Sequence, residues 1–196
     1  MKVLIACEFS GIVREAFKAK GHDAWSCDLL DTEIPGQHIK GDVFELLNNK
    51  PYWYYDLIIT HPDCTYLANS GVRWLVEGNG TLNEPRRKKM VDAVSFFMSF
   101  FAFAEKVCIE NPIPHKYAKE YIGKYDQLIQ PWQFGHTTSK ATCLWLKNLP
   151  PLIYTNIIPK ENRTFEIHKE PPGPDRKKNR SRTFQGIANA MAEQWG

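Results

Sequence analysis

The chain of 196 residues has no apolar run long enough to span a membrane. Its longest such stretch, Ala93–Ala104, is closed off by Asp92 and Glu105, well short of the roughly 20 residues a span requires. Val3–Cys7 is likewise too short for the apolar core of a secretion signal. These absences predict a soluble, cytoplasmic protein without a membrane partner. The five cysteines (7, 27, 64, 108 and 143) are odd in number, scattered, and never in CxxC or other zinc-type spacing. Neither a disulfide framework nor a metal site is therefore expected, and a reducing compartment suits them. A formal net charge of +3 is too small to identify a polyanionic partner. GxGxxG is missing, which disfavours a standard NAD-binding fold. There is no internal repeat, and no linker-like stretch before the proline-rich segment Glu170–Asp175.

What is present reads as one globular unit. Eleven Phe, eight Tyr and six Trp in a chain that is 43% hydrophobic supply a core and exclude disorder. Val3–Cys7 is a short continuous apolar run, Asp56–Thr60 has the character of a strand buried on both faces, and Lys106–Ile109 reads as the strand after it. Asp23–Cys27 and Ala141–Leu146 read as further strands. Helical patterns lie between them: Ile12–Lys20 with Gly21 as a stop, and a short helix opening at Gly41-Asp42-Val43. A longer helix is started by Asn83 as N-cap with Pro85 in its first turn and runs to about Ala104. Short helices follow at Lys116–Ile122 and from Thr183 to Trp195. Strands alternating with helices predict an α/β fold, a mostly parallel sheet with helices on both faces.

In such sheets ligands bind beyond the carboxyl ends of the strands. The unusual polar clusters fall there: Glu8-Phe9-Ser10-Gly11, Asp28, His61-Pro62-Asp63-Cys64 and Glu110-Asn111-Pro112. Gly11 suits a tight turn against a bound group, and an acidic residue ending the second strand suits ribose hydroxyls. Cys64 sits in a polar loop, unlike Cys7, Cys108 and Cys143, which belong to apolar runs. A nucleophilic cysteine needs partial exposure and a lowered pKa, and a nearby carboxyl such as Glu110 could move protons on a base ring. Two basic runs, Arg86-Arg87-Lys88-Lys89 and Arg176 to Arg182, read by default as solvated faces.

In order along the chain, these segments resemble the motif series of cytosine-5 DNA methyltransferases. Phe9-Ser10-Gly11 resembles the first, cofactor-binding motif, with Val13 and Arg14 where two further glycines are usual. Gly41-Asp42-Val43 matches the family's Gly-Asp-Ile/Val, and Pro62-Asp63-Cys64-Thr65 resembles Pro-Pro-Cys-Gln. Glu110-Asn111-Pro112 resembles Glu-Asn-Val. Phe134 to Thr142 aligns with Tyr-Gly-x-Pro-Gln-x-Arg-x-Arg, keeping a cation at Lys140. Gly186-Ile187-Ala188-Asn189-Ala190 resembles the closing Gly-Asn-Ala. Gln133-Phe134-Gly135 and Cys143-Leu144-Trp145-Leu146 look like small phage-type members.

The resemblance implies a Rossmann-like class I methyltransferase fold with a seven-stranded sheet, forming a single S-adenosylmethionine-dependent domain over residues 1–196. It implies methyl transfer to carbon 5 of cytosine in DNA, with Cys64, Glu110 and Lys140 as the catalytic group. The cofactor would be held by Phe9, Ser10, Gly11, Asp28, Asp42, Pro62 and Asn189. Lys147 to Asp175 is too short for the separate target-recognition domain usual in the family. Backbone contacts and stacking would then fall to Arg73, Trp74, Arg86, Arg87, Lys177, Lys178 and Arg180. Two alternatives stay open: modification of a pyrimidine in free nucleotide or single strands, and a degenerate fold serving as a non-catalytic nucleic-acid-binding protein.

Overall fold

The structure, a computed structural model, describes residues 1–78 and 80–196, residue 168 through its main chain. Seven strands form one sheet: β1 Lys2–Ala6, β2 Asp23–Asp28, β3 His38–Lys40, β4 Leu57–Thr60, β5 Lys106–Pro112, β6 Gln127–Ile129 and β7 Thr142–Lys147. Their order across the sheet is β3-β2-β1-β4-β5-β7-β6. The first five are parallel, and β7 runs antiparallel between β5 and β6. The mostly parallel, seven-stranded Rossmann-like sheet is thus present as expected.

Seven helices accompany the strands among the described residues: α1 Ile12–Ala19, α2 Val43–Asn48, α3 Glu84–Ser99, α4 Lys116–Ile122, α5 Glu166–Lys169, α6 Arg176–Ser181 and α7 Gln185–Trp195. The pleat divides the core between the two faces of the sheet. Leu4, Ala6, Ile58, Val107 and Ile109 pack with Leu47 of α2, Val94 and Phe97 of α3 and Ile122 of α4. Val3, Ile5, Leu57, Ile59 and Cys108 point the other way, against Val13 and Phe17 of α1 and Ile187, Met191 and Trp195 of α7. Continuous apolar runs in β1, β4 and β5 follow from this double coverage, since no strand face meets water.

The start of α3 follows its sequence signals: the Asn83 side chain accepts from Arg86 N at 2.9 Å, and Pro85 occupies the first turn. Its end differs from the expectation of Ala104. The α-helix stops at Ser99 and a 3₁₀ turn, Phe100–Ala102, completes the segment. β3 lies in a stretch read from sequence as loop. Three residues are too few to show a strand period, and the pairing of Ser26 with His38 is what makes them a strand.

The carboxyl ends of β2, β1, β4 and β5 stand side by side, with Cys27 beside Ala6, Ala6 beside Thr60, and Thr60 beside Ile109. The chain reverses its direction of winding between β1 and β4. A crevice at that point is where open α/β sheets take ligands.

Candidate active site

The loop after β1 is built around a buried carboxylate. Glu8 accepts from Val13 N at 2.7 Å and Arg14 N at 3.2 Å, which closes the amino end of α1. Ser10 Oγ donates to the same carboxylate at 3.2 Å. Burial raises the Glu8 pKa, and the charge of His61 and the α1 amides oppose the rise. Gly11 takes φ +76, and a Cβ there would lie 2.7 Å from Arg14 Nη2 and 3.1 Å from Ile34 Cβ. Only glycine suits both the conformation and the space.

Of the two altered glycine positions, Val13 joins the core and Arg14 has a structural role of its own. It is fully buried, and its guanidinium donates to Ser26 Oγ at 2.9 Å, Thr32 Oγ1 at 3.2 Å, Ile34 O at 2.5 Å and Glu15 at 2.8 Å. The fork therefore ties α1 to the end of β2 and to the loop that follows it.

Beyond β4 and β5 the predicted catalytic residues come together. His61 extends the β4 ladder, donating its N–H to Ala6 O at 3.0 Å. The loop then passes Pro62 and Asp63 to Cys64. Asn111, at the end of β5, donates from Nδ2 to Pro62 O at 3.0 Å and so fixes this loop against the strand bearing Glu110. Glu110 pairs with His61 Nδ1 at 2.9 Å, both side chains about nine-tenths buried. Burial alone would raise the Glu110 pKa, but the His61 hydrogen bond and the Lys140 charge outweigh it and hold the carboxyl below its ordinary value.

Cys64 is half-buried and carries a free thiol. Its pKa is raised, first by burial, then by the charges of Asp63 and Glu110, with Lys177 and Lys140 pulling the other way. A lowered value was the sequence expectation for a nucleophile. The difference comes first from burial of the thiol and then from the acidic residue that directly precedes it. The thiol is protonated at rest, and its proton must leave as sulfur forms a bond.

Helix α6 lays the second basic run along this edge, still partly in solvent. Lys177 pairs with Asp63 at 2.9 Å, and Lys178 with Glu33 at 3.1 Å. Lys178 Nζ and the Arg182 guanidinium stand 5.3 and 5.9 Å from the Phe9 ring centroid. Lys140 donates to Arg182 O at 3.4 Å. Arg180 lies half-buried on the same helix.

The remaining predicted cofactor residues divide. Asp28 ends β2, its Oδ1 accepting from Leu30 N at 2.9 Å. Asp42 is the N-cap of α2, its Oδ1 accepting from Phe44 N at 2.7 Å. Each keeps its second carboxylate oxygen free for a hydroxyl or amine, so the donor set fits a nucleoside-bearing cofactor. Pro62 is buried in the loop that bears Cys64. Asn189 lies exposed on α7, bonded to Gln185 at 2.8 Å.

Arg73, Trp74 and Arg86 gather on one side of the Cys64 loop. The Arg86 guanidinium donates to Thr65 O at 3.2 Å and Gly71 O at 3.3 Å. With Tyr66, Trp74, Asn83, Pro85 and Lys89 it lines an open pocket of about 380 Å³. Arg73 stacks 4.7 Å from the Trp74 ring centroid, and Trp74 is 59% exposed. Arg87 points away, pairing with Glu84 at 3.3 Å.

Sequence reasoning did not single out His61, Glu8, Tyr66 or Arg182 as site residues. For His61 a signal existed, a polar residue directly after a buried strand. Glu8 carried the same signal after the first strand and Arg182 closed the second basic run, whereas Tyr66 has no local signature. Among the described residues no group of three or more His, Cys, Asp or Glu is placed to hold a metal, and no helix is long and apolar enough to cross a membrane.

No protein-family model matches the chain, and no curated protein does. Among solved structures it is similar to a protein described as a candidate DNA modification methyltransferase encoded within an Escherichia coli prophage. The two share 14% identity with a TM-score of 0.49, over 80% of this chain and 51% of that one. The chain thus spans about half the length of that protein. The functional reading rests on the side chains.

Proposed function

We propose that this protein transfers a methyl group from S-adenosylmethionine to carbon 5 of cytosine in DNA, through a transient covalent bond to Cys64. The observation that carries this reading is the meeting of Cys64, Glu110 and Lys140 beyond the adjacent ends of β4 and β5, where their charges act on one another. A thiol beside a carboxyl group fits addition to a pyrimidine: sulfur bonds to carbon 6 while the carboxyl group holds the ring nitrogen and exocyclic amine. Phe9, Ser10, Gly11, Asp28, Asp42, Pro62 and Asn189 would hold the cofactor, which supplies the methyl group when bound. Carbon 5 is closed to attack inside a base-paired stack, so the base must be flipped out or unpaired.

The pocket between Tyr66 and Trp74, rimmed by Arg86 and Lys89, supports contact with a neighbouring nucleotide through stacking and charge. Such contacts tolerate sequence. They also favour a second reading, in which single-stranded DNA is the natural substrate.

The test is trapping. With cofactor and an oligonucleotide carrying 5-fluorocytosine, the elimination that frees Cys64 is blocked, and mass spectrometry should find an adduct on that residue. Duplex, single strand and free nucleotide, run side by side, identify the substrate. Cys64→Ala should form no adduct and no methylated product. Full methylation by that variant would remove the covalent route.

A further inference from the structure

The charge state of Glu110 raises a question of protons. A carboxylate and the N3 atom of cytosine are both acceptors, so neither can hydrogen-bond the other without a proton between them. When sulfur adds to carbon 6, electron density moves to N3, which must take up a proton. Yet the His61 contact and Lys140 hold Glu110 towards its ionised form.

His61 is placed to supply that proton. Its Nδ1 lies 2.9 Å from Glu110 Oε2. Its Nε2 is buried with no hydrogen-bond partner in the protein. The buried carboxyl of Glu8 also feels the imidazole charge. Two carboxyl groups thus lie within electrostatic reach of the ring, one from the loop after β1 and one from β5. Lys140 faces Glu110, and Asp63 and Lys177 lie further along the same edge. A merely structural histidine in so enclosed a place would be expected to bond both ring nitrogens.

We infer that His61 and Glu110 act as one proton-holding pair, in which His61 positions the carboxyl group and supplies its proton during methyl transfer. The inference rests on the reading of Cys64 as the nucleophile. As the Cys64–carbon 6 bond forms, the thiol proton leaves to solvent, and the one proton held between His61 Nδ1 and Glu110 Oε2 passes to N3, leaving a neutral imidazole beside the carboxylate. When the carbon 5 hydrogen leaves to solvent as a proton and the carbon–sulfur bond breaks, N3 returns its proton to the pair and the Cys64 thiolate regains one from solvent. No proton is consumed from the pair over the cycle.

The experiment measures single-turnover methyl transfer by wild type, His61→Asn and His61→Gln between pH 5.5 and 9, with cofactor affinity and circular dichroism alongside. The amides can still donate to Glu110 but cannot hold or release a proton in this range. Loss of the Cys64 proton quickens all three proteins alike as pH rises, so the pair is read from the ratio of wild-type to variant rate, which should grow with pH because a carboxyl group alone holds a proton less tightly than a pair containing imidazole. Near pH 8 the loss should be about a hundredfold, with cofactor affinity within twofold. Folded variants with wild-type rates and an unchanged pH profile would overturn the role of His61 alone. A wild type yielding neither methylated base nor fluorocytosine adduct would instead overturn the methyl-transfer reading, and this inference with it. Using two amides of different length guards against one failing to fold.

Discussion

Glu33 and Arg182, 149 residues apart in sequence, meet through both carboxylate oxygens, with Nε to Oε2 and Nη2 to Oε1 each at 2.7 Å. Glu33 also donates its main-chain N–H to Phe9 O at 2.8 Å. The pair therefore fastens the segment after α6 to the loop after β2, directly over the first predicted cofactor motif. The Arg182 hydrogen bond, with help from Lys178, outweighs partial burial and lowers the Glu33 pKa from 4.5 to about 2. A folded-state value below the unfolded one stabilises the fold above about pH 4.5, and that contribution is lost as pH falls towards 2. Both side chains are partly exposed, so the contribution is no more than about 1 kcal/mol. Glu33→Gln should lower the melting temperature by about 2–4 °C at pH 7, and the difference should shrink towards pH 3. A difference constant across that range would show that ionisation of Glu33 does not stabilise the fold.

Arg14 should behave as a core residue. Replacing it by Ala removes donors from Ser26, Thr32 and Ile34 O, and leaves a cavity beneath Gly11 and Gly36. The expected loss is about 3–5 kcal/mol in urea unfolding. Arg14→Lys should recover little of it, since one ammonium cannot span acceptors arranged for a planar fork. A loss below about 1 kcal/mol would show that the loop after β2 holds its shape without the guanidinium.

Gly186, near the start of α7, has no room for a side chain. A Cβ there would lie 1.9 Å from Phe134 O, a main-chain atom that cannot swing aside. Gly186→Ala should destabilise the protein by about 1–3 kcal/mol and disturb the packing of α7. Calorimetric unfolding within a degree of wild type would show that the helix shifts freely.

The two basic runs should differ in DNA binding. Lys89 lines the open pocket, whereas Lys178 is already paired with Glu33. Lys89→Glu should weaken binding and reduce the slope of log affinity against log salt by about 1. Lys178→Gln should change that slope less while loosening the contact with Glu33. Trp74→Ala should cost about 1–3 kcal/mol with single strands if a base stacks there. Equal salt slopes for both lysine variants, measured by fluorescence titration, would remove the distinction.

Asp42 caps α2 and is proposed to hold the cofactor, two roles that one substitution can separate. Its Oδ1 caps α2 through Phe44 N, so Asp42→Ala should cost about 1 kcal/mol of stability whatever happens to the cofactor. Asn caps as well as Asp but turns an amide towards any amine held by the other oxygen. Asp42→Asn should therefore melt like wild type while binding S-adenosylmethionine at least about tenfold more weakly in calorimetry, a loss of about 1.4 kcal/mol. Unchanged affinity would remove Asp42 from the cofactor site.

The amino-acid sequence by itself determined the layered frame and where its chemistry could lie. Apolar runs specified β1, β4 and β5, with β4 legible as a strand covered on both faces, Asn83 and Pro85 specified where α3 begins, and the polar residues after those strands marked where a binding edge was expected. These are local signals, written in residues a few places apart. Tertiary structure alone decided which polar groups meet. His61 and Glu110 are 49 positions apart and become partners because parallel pairing sets Thr60 beside Ile109. The basic residues of α6 looked like a solvated face, yet Lys177 and Lys178 find Asp63 and Glu33 once the chain returns across the sheet edge. Arg14 stood out in sequence only as a departure from glycine, and its acceptors at Ser26, Thr32 and Ile34 become visible when β2 is laid against β1. Local pattern fixes period and burial. The pairing of distant charges depends on sheet register and on the path of the loops, which no short stretch of sequence contains.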